Sequence, residues 1–586
     1  MTQDITHPAG GTRWRALDSF CRAVDRSPRL VTFLAAALSL GLSAGLAFRR
    51  ATTPWAALPD NDYWGNIRGL ITENGVTLNL WNLLHHNNEH VVFIPKLIYA
   101  ANYVLTSGNN VGLIIYSILA GAACAIILLL LAKDLLHDTP ARWAFCAVLF
   151  PLAMFSGKLS HSYYFGMSGA QWLTADIFVI LSAAAMAKAA QAEGTRWLLA
   201  SLLAALLGVL SYSTAIYSLL VLLVFCGIFL LVPKFRGRIP WPALVGVAAF
   251  ILLVLAVWLI NRPHPQGHPP LDFDPIGLAG FVLIYLGSAL SEGYAAPVVG
   301  LAICAVAALA IHRLLAEGRD ILLWVTLLLF APFNALMTGI GRLGFGMKAA
   351  FSSRYQSVTV ISLIALIALV LAALPRDNTR GSVRVRFVGL AVLVVAAVFF
   401  VTNNKTIKMY AKRIAGKPVA EIAMRLGVAG DQHIQAATKA INQFHAVLPA
   451  LRATHHVPFN TRSRCEEMLG QRLVAAANIP VGAIDKLAVY SVSHETRTAI
   501  ELSGWAAQEG NPAECIAIVD GTGVVIGAGI SGGIRPGPFT QGSRRSGWKA
   551  VASYPLSMPV CAIALFPNGN VWLPLSNCRA VIPETD

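Results

Sequence analysis

Apolar runs of about 20 residues recur from Arg29 to Phe400, each long enough to cross a ~30 Å hydrocarbon core as a helix. That feature restricts the fold more than any other. Inside lipid every backbone amide must be bonded within its own element, so a chain of this pattern is a bundle of membrane helices. Composition agrees: 56% of residues are hydrophobic and only 13% charged, outside the range of soluble globular domains.

The runs place spanning helices near 29–48, 109–132, 142–157, 168–189, 196–212, 214–232, 241–260, 294–314, 320–338, 354–374 and 387–402. The net charge of +16 follows the loops between them. The N-terminus carries Arg13, Arg15, Arg22, Arg26 and Arg29, and alternate loops carry Lys133 and Arg142, Lys188 and Arg196, Lys234 with Arg236 and Arg238, Arg313 and Arg319, and Arg376 to Arg386. Positive loops stay cytoplasmic, so the charge reads as topology and nucleic acid is no expected partner. The alternation holds only if the short run 276–291 does not span but lies at the outer interface or dips in and returns. Eleven spans then leave the tail outside. A long charged stretch precedes the first run with no clean small-residue cleavage site after it, so that helix reads as a retained signal-anchor.

The fold expected is a multi-pass α-helical membrane protein of about 11 spans with a C-terminal periplasmic α+β domain ending in a small β-sandwich. Its parts are a cytoplasmic N-terminus (1–28), a transmembrane domain (29–402) with outer loops 49–108, 157–167, 261–293 and 339–353, a helical region (403–484) and the sandwich (485–586). From Asp485 seven short β runs follow (KLAVYSVS, TAIELSGWAAQ, ECIAIVD, GVVIGAGI, WKAVASY, PVCAIALF, NVWLPL), with hairpin cues at Asp520-Gly521 and Asn568-Gly569. Trp505, Trp548 and Trp572 offer either core or sugar-stacking faces. Cys465, Cys515, Cys561 and Cys578 all fall in this tail, an even number in an oxidising compartment. Three connectivities are open, of which Cys465–Cys578 with Cys515–Cys561 is expected.

Titratable side chains gather in the first outer loop, where Leu58 to Leu97 holds Asp60, Asp62, Arg68, His85, His86, Glu89 and His90. Asp60 and Asp62 alternate, so on an extended segment both face one way and could hold a divalent cation or act as a general base. Asp62 also precedes YWGNIRGLI as a helix N-cap would. His86 and His90 share the i, i+4 spacing of a zinc helix, but Glu89 is misplaced for that chemistry and no third ligand is nearby. A later outer loop carries Lys158, His161, Tyr163, Tyr164 and Gln171, with Asp176 a turn further on. Another carries Arg342, Lys348, Arg354 and Tyr355, cations on the side that the charge rule leaves poor in them. A phosphate-bearing substrate gives them a purpose, as do lipid headgroups.

DNDYW (Asp60 to Trp64), NNEHVVFIPKL (Asn87 to Leu97), GMSGAQW (Gly166 to Trp172), GRLGFG (Gly341 to Gly346) and SRY (Ser353 to Tyr355) resemble the GT-C superfamily of integral-membrane glycosyltransferases. The likeness is to bacterial members related to polyprenyl-phosphate-dependent arabinofuranosyl- and mannosyltransferases. SGWAAQ, IRPG and SGW, from Ser503, Ile534 and Ser546, resemble the sugar-binding-like domain appended to such enzymes. The resemblance implies an enzyme of the bacterial inner membrane that moves a sugar from a polyprenyl-phosphate donor to a glycan, lipid or protein acceptor on the periplasmic face. It implies Asp60 or Asp62 as general base, with Glu89, His90 and Gln171 orienting substrate. Arg342 and Arg354, with Tyr355 and Lys96 beside them, would hold the donor phosphate. Many members of that superfamily carry a second carboxylate in the next outer loop; this chain has none between Gly157 and Ala175, leaving Asp176 or Glu89 as substitute. A divalent cation is the one cofactor left open. The alternatives are a lipid-linked-sugar transporter or flippase, which calls for ionisable groups at mid-membrane depth, and a non-catalytic polysaccharide assembly protein.

Overall fold

The computed structural model describes residues 28–52, 57–87, 90–191, 194–374 (apart from 233–236, 262 and 264–268), 416–473 and 481–578 (apart from 534–545, 556–558 and 568–571). They fall into two compact units. One is drawn from 28–52, 83–98 and 113–374, the other from 57–82, 99–112 and 416–578.

The helices are α1 (Pro28–Thr52), α2 (Tyr63–Ile67), α3 (Leu80–Leu84), α4 (Phe93–Thr106), α5 (Asn110–Leu135), α6 (Pro140–Met154), α7 (Ser160–Tyr164) and α8 (Gly166–Gln191). They continue as α9 (Gly194–Val209), α10 (Ile216–Leu231), α11 (Trp241–Ile260), α12 (Pro275–Gly287), α13 (Ala296–Ala316), α14 (Leu322–Arg342) and α15 (Gln356–Ala373). Among the described residues nine helical segments are long and apolar enough to cross a membrane, and they match nine of the eleven expected spans. The expected span near 196–212 is α9, 16 residues and so about 24 Å long, and the run 387–402 lies outside the described residues. The 276–291 run forms α12, 13 residues long and too short to cross. It lies along the connection between α14 and α15: Leu278 and Phe281 meet Gly339, and Ser288 accepts from Gln356 Nε2 at 2.8 Å.

Lipid gives helices no hydrophobic reason to associate, so close approach of small residues and interhelical hydrogen bonds hold the first unit together. A Cβ on Gly287 would overlap the Ala296 carbonyl, and one on Gly300 the Leu283 carbonyl, so α12 and α13 cross at backbone contact. Ser182 and Ser201 exchange side-chain-to-carbonyl bonds of 3.0 and 2.9 Å between α8 and α9. The spanning window of α15 is 89% buried and forms the centre, whereas α1 and α11, each 17% buried, leave their apolar faces outward.

In the second unit a two-residue hairpin, β1 (Ile71–Thr72) with β2 (Gly75–Val76), follows α2. Four short helices come next: α16 (Lys417–Leu426), α17 (Asp431–Gln435), α18 (Ile441–Ala453) and α19 (Arg464–Glu467). The strands are β3 (Gly482–Ser491), β4 (Thr498–Gln508), β5 (Asn511–Pro512), β6 (Cys515–Val519), β7 (Val525–Gly533), β8 (Gly547–Ser553), β9 (Cys561–Leu565) and β10 (Trp572–Pro574). All seven expected strands are present, and Asp520 Oδ1 closes the β6–β7 turn by accepting from the amides of Thr522 and Val524. Asn568 and Gly569 lie outside the described residues.

The strands do not form a sandwich. They make one antiparallel sheet in the order β10-β9-β6-β7-β8-β4-β3, with β5 paired to β4, and the sheet is strongly curled. Its two edges meet through Val481 N to Pro574 O (3.2 Å), Ile484 N to Ser576 O (3.2 Å) and Ser576 N to Gly482 O (2.9 Å). Glycines that admit no Cβ (Gly504, Gly527 and Gly529, each against a neighbouring strand) and three register shifts allow this coiling. The concave face packs Ile484, Ile500, Leu502, Ile516, Ile518 and Trp548, while α16 covers the other with Val419 and Ile422 over Ala517, Val525 and Val551. With both faces covered, β6 is buried at every residue and reads as a continuous apolar run. Trp548 is core, whereas Trp505 and Trp572 are half-buried.

The disulfides are Cys465–Cys515 and Cys561–Cys578, not the expected pairs. In the β6–β9 register Cys515 faces Leu565 and Cys561 faces Val519. That leaves the two cysteines four residues apart along the strands, roughly 13 Å, beyond the reach of a bridge.

Candidate functional site

Three of the segments that carry the resemblance meet in the first unit. The first enters through His90, whose Nδ1 lies 2.5 Å from Ser213 Oγ and whose ring packs on Tyr212 at 4.1 Å between centroids. GMSGAQW opens α8, where Gly166 and Gly169 admit no Cβ because Leu113, Ser117 and the Ser162 carbonyl crowd them. That approach seats Trp172 nearly two turns in, 4.4 Å from the Tyr212 ring and 5.9 Å from Tyr355. Tyr355 ends SRY, a 3-10 turn leading into α15, and stacks on Tyr285 of α12 at 5.6 Å. His90, Tyr212, Trp172, Tyr355 and Tyr285 thus form one ladder of rings.

All but His90 are buried, so the ladder is a support for its rim and no open sugar platform. Arg354 stands exposed beside it, its Nε donating to Ser352 Oγ at 3.1 Å and its guanidinium 5.9 Å from the Tyr355 ring. Arg342 ends α14 half-buried, 5.8 Å from the Phe345 ring, and Lys348 is exposed. Lys96 is buried and donates to the His85 carbonyl at 2.7 Å; burial pushes its ammonium down to about 8. Gln171 is buried with Nε2 making no hydrogen bond, and Asp176 is fully buried within α8 against Ser357. Glu89 lies outside the described residues. Tyr212, Ser213 and Tyr285 carried no sequence signal beyond being polar aromatics or hydroxyls at helix ends.

The DND segment belongs to the second unit. Asp60 is 4% exposed and its Oδ2 lies 3.2 Å from Lys417 Nζ, the first residue of α16, which also donates to the Leu58 carbonyl at 3.0 Å. Asn61 takes φ 51°, a conformation Asn tolerates better than most residues, and bonds the Ala437 carbonyl at 2.8 Å. Tyr63 and Trp64 are buried against Tyr99 and Phe444. Asp62 takes the N-cap position of α2 but its side chain makes no capping bond; it is exposed. The two acids therefore differ: Asp60 is engaged inside the unit, and Asp62 faces outward.

The ion pair continues along α16. Glu421 Oε2 is 3.6 Å from Arg425, which forks onto Glu466 with Nε–Oε1 at 2.6 Å and Nη2–Oε2 at 3.0 Å. Burial raises the Glu421 carboxyl to about 7, against the pull of Arg425 and Lys417. Against the sheet, His433 and Lys549 hold Glu501 down to about 2. Among the described residues no group of three or more His, Cys, Asp or Glu is placed to hold a metal ion. No family model, curated protein or solved structure matches the chain.

Proposed function

We propose that the protein is a membrane-embedded glycosyltransferase that moves a sugar from a polyprenyl-phosphate donor to a glycan, lipid or protein acceptor at the periplasmic face of a bacterial inner membrane. The observation that supports it is the meeting of His90, Trp172 and Tyr355, from three segments remote in sequence, in one ring ladder with Arg354 at its rim. A guanidinium fixed beside a rigid support suits a phosphate, whose charge grows as the glycosidic C–O bond breaks. Arg354, with Arg342, holds that leaving group; His90, set by Ser213, orients the donor.

The acceptor half of the reading rests on the resemblance. An acidic residue of the first outer loop takes the acceptor hydroxyl's proton as the new C–O bond forms. Of the two candidates Asp62 is the exposed one, so Asp62 is assigned the base and Asp60 a supporting role through Lys417. The test is turnover of a panel of polyprenyl-phosphate sugars by purified protein in nanodiscs, beside Asp62→Asn and Arg354→Ala. One donor should turn over, and each variant should lose roughly 100-fold or more of the rate with its fold intact. Full activity in both variants would remove the site assignment. Asp176, a carboxyl buried inside a span, is what a lipid-linked-sugar translocator would carry, and donor binding without turnover on any acceptor would favour that second reading.

A further inference from the structure

Among the described residues of the tail, 416–578, no large hydrophobic side chain is exposed. The segment between α1 and α5 differs, with Leu78, Leu80, Trp81 and Leu84 exposed by 60%, 63%, 80% and 39%. Leu80, Trp81 and Leu84 share one face of α3, because residues one and four apart lie on the same side of a helix. The residues pointing away from that face are held inward: Leu83 is buried, and Asn82 Nδ2 donates to the Gly69 carbonyl at 2.7 Å. A Cβ on Gly69 would press on the Asn82 side chain, so the two segments close tightly and the apolar face of α3 stays outward.

Apolar side chains scattered singly need no partner, but a patch this dense marks a contact with protein or membrane. Three observations select the membrane. The chain runs through α3 without a break into residues 83–98, which belong to the unit that holds the spanning helices. No carboxylate lies between Glu73 and Glu89, so nothing here repels an anionic leaflet. Tryptophan, with an apolar body and a polar N–H, is the side chain that membrane–water interfaces favour.

We propose that α3 is an interfacial helix: Leu78, Leu80, Trp81 and Leu84 insert into the adjoining leaflet, and the partner of this face is a lipid surface. Five residues are too few to form a helix alone, so Asn82 and Leu83 hold α3 folded while its other face enters lipid. This inference does not rest on the transferase reading.

Spin labelling of the full chain in nanodiscs of phosphatidylcholine and phosphatidylglycerol tests it. With Cys21→Ser and Cys304→Ser as background, a nitroxide is attached through Trp81→Cys or Leu84→Cys. Leu38→Cys, exposed on the span α1, gives the hydrocarbon reference, and Glu509→Cys, exposed in the β4–β5 turn, gives the water reference. Collision rates with oxygen, which partitions into lipid, and with a water-soluble nickel chelate then report depth. Labels at 81 and 84 should favour oxygen and lie about 5–10 Å into the headgroup and acyl boundary. A preference for the nickel chelate equal to that at Glu509 overturns the proposal, because the face then lies in water. Shielding from both reagents overturns it as well, because protein then covers the face. The native side chain gives a second measurement: the fluorescence lost in Trp81→Phe should be quenched more by lipids brominated near the headgroup than near the chain end. Equal quenching, or none, counts against insertion at the interface.

Discussion

Replacing Lys417 by methionine tests whether the tail holds the acidic first-loop segment in place. Lys417 Nζ is 3.2 Å from Asp60 Oδ2, and each side chain is only 3% exposed. The variant leaves a carboxylate buried without its cation and the Leu58 carbonyl without its donor. Removing one partner of a buried pair costs about 3–5 kcal/mol. Helix propensity does not confound this, because Lys417 starts α16, where a cation opposes the helix dipole and methionine loses nothing. The readout is amide hydrogen exchange across 417–426, whose protection should fall roughly 150- to 4,000-fold at about 1.4 kcal/mol per decade. Adding Asp60→Asn to Lys417→Met should restore most of it, since the uncompensated charge is gone. A loss under about tenfold, or no recovery in the double variant, would refute the claim that this pair holds the segment.

Glu421 has its carboxyl raised to about 7 by burial, so the folded state keeps a proton that the unfolded chain releases near pH ~4.3. Its contribution is full below about pH 4 and is lost as pH rises toward about 7; Glu421→Gln should flatten that slope and stabilise the protein at pH 8 by on the order of 1–3 kcal/mol, measured by chemical unfolding. Serine at both Cys465 and Cys515 opens a loop spanning 50 residues and should cost about 4 kcal/mol, read as a lower denaturation midpoint of the tail. Gly300→Val would drive a side chain into the Leu283 carbonyl and should destabilise the α12–α13 crossing by about 1–3 kcal/mol, seen as earlier thermal aggregation in detergent, while valine at Gly246, which has open space around it, should not.

Nine expected spans, all seven tail strands and the Asp520 turn were legible because each rests on local periodicity: length against bilayer thickness, alternation against sheet pleat, and an Asx side chain against its own backbone. The candidate site was legible in part. His90, Gln171, Arg342, Arg354 and Tyr355 stood out as polar groups beside apolar runs, whereas Tyr212, Tyr285 and Ser213 look like ordinary helix-end residues until the rings stack.

The sequence by itself determined that this chain is a helical membrane protein with a strand-rich tail, because hydrophobicity and side-chain period act over neighbouring residues. Pairings between distant residues were decided only in three dimensions. The disulfides follow the β6–β9 register, and the sheet curls until its edges meet where glycines let strands coil. Asp60 and Asp62, two residues apart and chemically alike, part ways for that reason. One is buried on Lys417, more than 350 residues later, and the other is exposed.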